Sequence, residues 1–194
     1  VAAEYALAEG GSVVAEEGKV RYVAITTTEK VPRGVRLVAH GTAGHGSRPL
    51  PDNAVAHLAK AVARFTTWQP PIRLNETTRT YFERLAAISP PAEAGRYRGI
   101  LDPDLAPAID RYFFHHEPGH YSILRTSVTP TMMRAGFRGN VIPSSAEAYL
   151  DVRALPDEDM NRLCEELRHV IADPLVEVIP PRAGGRPAGP ASRI

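Results

Sequence analysis

Cysteine is almost absent from this 194-residue chain. Cys164 stands alone, so no disulfide can form within the chain and the redox compartment stays open. Its helical spacing among apolar neighbours predicts a small core residue. Long apolar runs are missing too, and none approaches the roughly 18–20 residues of a membrane span. Neither sign of charge dominates: 23 basic side chains face 22 acidic ones, for a net charge of +1. That balance gives no electrostatic footprint for nucleic acid and no field for acidic substrates. Also missing are the phosphate-cradling GxxxxGK(S/T), the GxSxG elbow and any CxxC. No basic leader opens the chain and residue 1 is Val1; the expectation is a start partway through a larger protein.

What remains is an ordinary globular composition, 43% hydrophobic and 23% charged, sized for one large domain with flanking pieces. Residues 3–8 read as a buried strand ending at Glu9-Gly10-Gly11. Residues 12–15 and 19–27 are β-rich and flank a hairpin turn at Glu16-Glu17-Gly18. Pro32-Arg33-Gly34 is punctuation. Val35 to Gly41 then alternates, with Val35, Leu37 and Ala39 on one face. A glycine-rich turn over 41–46 leads to a cap at Asp52 or Asn53. Val55, Leu58, Val62 and Phe65 follow at helical spacing. Residues 72–121 carry short helical patterns broken by prolines and glycines, which predicts a helical insert. Residues 122–136 read as a strand whose Pro130 marks an edge or bulge. Ser145 to Arg153 alternates cleanly. Pro156-Asp157-Glu158 opens a second amphipathic helix with acids at its N-terminus, and 175–179 is a last strand. The tail 181–194 reads as loop. Without the insert the order from Val35 is βαββαβ. That predicts an α+β fold: a ferredoxin-like, four-stranded antiparallel sheet with both helices on one face.

Four constellations could carry chemistry. Gly44-His45-Gly46-Ser47 puts an imidazole between glycines at a strand end, where it can donate to an oxyanion or exchange protons; alone, it reads as a turn residue in solvent. Asn140 and Arg153 could bind a carboxylate, the arginine fork bidentately and the amide as a further donor; alone, Arg153 is a surface strand residue. Glu9, after a buried strand and before two glycines, suits a metal ligand or a plain turn acid. His115-His116-Glu117 with His120 is not HExxH and is interrupted by Pro118-Gly119, so a solvated loop is expected.

Taken together and in order, these stretches resemble a known family. VRLVAHGTAGHGSRPLPDNAVAHLAKAVARF is similar to the first strand, turn and helix of the lid in the co-catalytic zinc aminoacylases and carboxypeptidases. That family includes acetylornithine deacetylase, succinyl-diaminopimelate desuccinylase, carboxypeptidase G and vacuolar carboxypeptidase S. AGFRGNVIPSSAEAYLDVRALP resembles its second signature, an asparagine before V-I-P followed by D-x-R. EYALAEGG resembles the strand ending in a zinc-ligating carboxylate. The long insert favours the carboxypeptidase S and N-acyl-amino-acid hydrolase branch.

The resemblance implies a two-domain enzyme with two zinc ions and a lid that pairs with a second copy. By position it makes Glu9 a zinc ligand and His45 the oxyanion donor, often in the partner subunit's site. Asn140 and Arg153 become holders of the substrate carboxylate, with Ser47 and Arg48 near the pocket. The other zinc ligands and the general base have no counterpart here. Residues 1–31 are therefore expected to end the first half of a catalytic domain, 32–180 to form the lid, with its insert at about 70–121, and 181–194 to lead back. On this reading the chain alone holds no tight zinc and is inactive. It acts with its own catalytic domain, a second copy, and a small peptide or N-acyl amino acid, without nucleic acid or membrane. The alternative is a ferredoxin-like regulatory module that dimerises and binds an amino acid through Asn140 and Arg153. A third is a structural domain whose exposed strands pair between copies.

Overall fold

The structure is a computed structural model that describes residues 11–68 and 70–182. Glu9, the strand predicted over 3–8 and nearly all of the predicted linker lie outside the described residues. The architecture is mixed α+β, with six helices and a four-stranded antiparallel sheet among the described residues.

The first elements are a hairpin, β1 (Ser12–Glu16) and β2 (Lys19–Ala24). Glu16 pairs with Lys19 across the two-residue turn Glu17-Gly18. Both turn residues have positive φ, 50° and 76°, the geometry that suits the twist of the flanking strands. The hairpin docks on the helical insert through Tyr22 and an Arg21–Glu93 ion pair of 3.2 Å.

β3 (Val31–His40) is longer than its alternation predicted. The punctuation at Pro32-Arg33-Gly34 lies inside it, paired with 151–153. On its other side β3 pairs only from Arg36 to Ala39, so the missing N–H of Pro32 breaks no second ladder. Tyr149 lies over Gly34; a Cβ there would overlap the phenol ring and push that side chain aside. After β4 (Gly44–His45), helix α1 (Ala54–Thr67) starts at Asn53, whose side chain accepts from the Val55 and Ala56 amides. Asp52 is the neighbour, not the cap. α1 buries Ala54, Leu58, Ala61 and Phe65.

The insert comprises α2 (Glu76–Ile88), α3 (Pro91–Gly99), α4 (Ala106–His116) and α5 (Pro118–Ile123). It encloses its own core around Phe82, Tyr97 and Phe113. The chain returns through β5 (Ser127–Ala135), β6 (Val141–Ile142) and β7 (Ser145–Ala154). β5 is shorter than predicted, since Ser122 and Ile123 close α5. Its register shifts between Pro130 and Met132, and it lies at the sheet edge, as the proline indicated. Helix α6 (Met160–Ile171) is capped by Asp159, and β8 (Val176–Ile179) ends the sheet. The predicted opening acids serve elsewhere: Asp157 and Glu158 pair with Arg73 at 2.5 and 2.9 Å.

The strand order is β5-β7-β3-β8, every neighbouring pair antiparallel. Val35, Leu37 and Ala39 of β3 and Ala146, Ala148, Leu150 and Val152 of β7 pack into one core with both α1 and α6. Cys164 is buried there.

Candidate functional site

Three local devices fix the position of His45. The end of β3 turns sharply at Gly41, where a Cβ would stand 2.6 Å from the Ala54 amide nitrogen. Gly41 N–H donates to Ser144 at 2.9 Å, and the Thr42 hydroxyl donates to Asp52 at 2.7 Å. β4 then pairs with β6, Gly44 opposite Ile142 and His45 opposite Val141. Gly46 N–H donates to the Asn140 carbonyl at 2.8 Å. A two-residue ladder is too short to show any period in sequence. It nevertheless brings together His45 and Asn140, residues 95 positions apart by their numbering.

The His45 ring is exposed and oriented from one side. Its Nδ1 accepts from the Ser47 amide at 3.2 Å and lies 2.8 Å from the Ser47 hydroxyl. A ring nitrogen that accepts from an N–H carries no proton, so the neutral imidazole holds its proton on Nε2. Asn140 is exposed beside it. Ser47 thus orients the ring; Arg48 donates its amide to the His45 carbonyl at 2.9 Å.

Arg153 lies elsewhere. It sits opposite Pro32 and Ser127, while Ser145, the β7 residue nearest Asn140, sits opposite His40. Eight residue steps along β7 lead from Ser145 to Arg153, roughly 26 Å. The Arg153 side chain is 53% exposed, and its Nε donates to Asp151 at 2.8 Å. One chain therefore brings His45 and Asn140 together and leaves Arg153 at the opposite end of the sheet.

The segment around His115–His120 is not a solvated loop. It spans α4 and α5, and His120 packs edge-on against Phe82 and Tyr97. Its Nδ1 donates to Glu117 at 2.5 Å and its Nε2 lies 2.9 Å from the Tyr81 hydroxyl. Glu117 also accepts from Arg96 at 3.1 Å. Burial, then the charges of Glu117 and Glu93, pushes Tyr97 up to about 12. Proline and glycine suggested a loop because the partners that bury this turn, such as Tyr81, lie far away in sequence.

A zinc site needs about three protein ligands. Among the described residues no group of three His, Cys, Asp or Glu side chains converges. Glu117 and His120 already spend their donors and acceptors on each other, Arg96 and Tyr81. The described residues do not fit a zinc centre. No helix among them is long and apolar enough to cross a membrane.

Comparison with known proteins bears on the family and the fold. The family described as peptidase dimerisation domain, of M20 type, matches residues 27–178. The chain is similar to human N-fatty-acyl-amino acid synthase/hydrolase PM20D1, 28% identical over 155 residues that cover 79% of this chain and 30% of the relative. It is similar to the probable carboxypeptidase S-like 2 of Dictyostelium discoideum, 29% identical over 154 residues, 78% of this chain and 28% of the relative. The solved structure of human carnosine dipeptidase 1 aligns with a TM-score of 0.50 at 12% identity, over 87% of this chain and 39% of that one. That last likeness is one of fold alone. The chain spans about 30% of the length of these curated relatives.

Proposed function

The chain belongs to the peptidase dimerisation-domain family, and we propose that it is the lid and dimerisation domain of a zinc-dependent hydrolase. The substrate is a peptide or N-acyl amino acid with a free carboxylate, cleaved at its amide bond. The strand order β5-β7-β3-β8 with α1 and α6 in one core supports a ferredoxin-like reading of the lid. Residues 32–180 form that lid, 1–31 end the first half of the catalytic domain, and 181–194 lead back to it.

One observation carries the reading: the exposed His45 ring, its Nδ1 accepting from Ser47 so that Nε2 is left as the donor, stands beside Asn140. Such a donor suits the oxyanion that develops when an amide carbonyl is attacked. Asn140 and Arg153 hold the substrate's carboxylate. Zinc, two ions with Glu9 among the ligands, belongs to the catalytic domain. The chain alone is inactive, and elemental analysis of chain purified without added metal should find well under one zinc per molecule.

The separation of Arg153 from Asn140 gives the assembly a purpose. No small substrate spans roughly 26 Å, so one chain cannot place both on it, whereas two chains in opposed orientation can. The outer edge of β5 supports such a pairing. It is nine residues long, has no neighbouring strand among the described residues, and carries Met132 and Met133 about half exposed. An uncovered edge of that length is a template for another strand. The opposite edge, β8, has only four residues and an exposed Glu177.

The direct test is His45→Ala in the whole enzyme. A donor that acts in the transition state costs about 10²–10³ in kcat with little change in KM. An unchanged kcat would remove His45 from the mechanism.

A further inference from the structure

No residue from His40 to Asn53 is buried. A stretch with so few buried apolar contacts opens locally at low cost, so polar contacts rather than core packing set the place of the turn that carries His45. At one end Gly41 donates to Ser144, and at the other Gly46 donates to Asn140. Asp52 ties the middle. Its Oδ2 accepts from the Thr42 hydroxyl at 2.7 Å and its carbonyl from the Thr42 amide at 3.3 Å.

The second carboxylate oxygen of Asp52 is in a different position. Oδ1 is buried although the side chain as a whole is 41% exposed, and it takes no hydrogen bond among the described residues. A buried acceptor without a partner is costly. The group that faces it is Nε2 of His57, 3.7 Å away. That is too long for a hydrogen bond and close enough for charge to act.

His57 lies near the start of α1, where its own amide donates to the Asn53 carbonyl at 3.0 Å. Its ring is mostly buried, and its Nδ1 lies 2.7 Å from Asp173. Asp173 is itself anchored. It accepts from the Leu175 amide at 3.1 Å. Arg64 of α1 donates to the carbonyls of Ile171 and Ala172, just before it. Ionised carboxylates only accept, so the ring stands between two acceptors. One belongs to the fixed end of α6 and the other to the His45 turn.

We propose that His57 is a positioning residue for His45: it holds Asp52 towards the anchored Asp173, and through Asp52 and Thr42 it sets the turn on which His45 stands. The consequence for catalysis rests on the role proposed for His45, whereas the positioning itself does not.

Hydrogen exchange of single amides in the 194-residue chain reads the turn directly. His57→Asn keeps a donor at the place of Nδ1, towards Asp173, and removes the group that faces Asp52. His57→Gln does the reverse, with its donor at the place of Nε2. In His57→Asn the amides of Thr42 and Gly46 should exchange about tenfold faster than in the parent. Those of Leu150 and Val152, in the core strand β7, should stay close to the parent, which also shows that the variant is folded. His57→Gln should stay close to the parent at all four. In the whole enzyme His57→Asn should lower kcat about tenfold with little change in KM. In a His45→Ala background it should cost nothing further. Turn amides unchanged in His57→Asn would overturn the proposal. So would turn and core amides that speed up together in both variants, the mark of a residue that only adds stability. If His45→Ala leaves kcat unchanged, the catalytic reading falls alone, and the exchange rates still decide the positioning.

Discussion

His57 and its acids show how single side chains hold the turn before α1 in place. His57 Nδ1 lies 2.7 Å from Asp173, and its Nε2 3.7 Å from Asp52, which also holds Thr42. α1, the turn before it and the approach to β8 are thereby tied together. Burial raises the Asp173 carboxyl, but the His57 and Leu175 hydrogen bonds and the charges of His57 and Arg64 outweigh it and hold it below the usual range. A carboxyl lowered in the folded state stabilises above its unfolded pKa of about 3.9 and stops doing so as pH falls through the folded value. Thermal melts should therefore show Asp173→Asn less stable than the parent at pH 6, with the gap closing towards pH 2. A gap independent of pH would assign the effect to packing. At this scale the sequence was partly legible. His45 was visible as a histidine between glycines, and the contacts of Nδ1 with Ser47 follow from two residues of separation. The burial of His120 was not visible, because its ring partners Tyr81, Phe82 and Tyr97 come from other helices.

The step from β3 to α1 is the element on which the site depends. Gly41 packs so closely on the start of α1 that a methyl would meet the Ala54 backbone. Backbone cannot yield as a side-chain tip can, so Gly41→Ala should destabilise the chain by about 1–3 kcal/mol. In the whole enzyme it should also lower kcat by displacing the His45 turn. Denaturant unfolding together with kinetics checks both; a stable variant with normal kcat would show that the turn tolerates the shift. By contrast, Phe65→Ala on the buried face of α1 should cost about 3–5 kcal/mol in the same unfolding assay. Long periodic elements were legible because burial on one face repeats along them, as in β7 and α6. α3 was not, since only Ala94, Tyr97 and Gly99 are buried and glycine interrupts it. β3 was cut short because Pro32 and Gly34 read as breakers. Their cost is removed by a one-sided ladder and by Tyr149, which only the folded sheet reveals.

Across the whole molecule, the sheet with α1 and α6 has one core, the insert a second, and the candidate residues divide between the two ends of the sheet. Sequence order brought His45, Asn140 and Arg153 into one reading; it carried no information on which of them meet within a chain. If the site forms across a two-fold axis, each substrate meets Arg153 of one chain and His45 with Asn140 of the other. The most direct measurement mixes two impaired versions of the whole enzyme, His45→Ala and Arg153→Ala, under conditions that exchange subunits, and assays below KM. Each hybrid dimer then has one site with both residues intact. The mixture should recover roughly a quarter of the parent activity, far above either variant alone. A mixture no more active than the mean of its components would contradict a site shared between two chains.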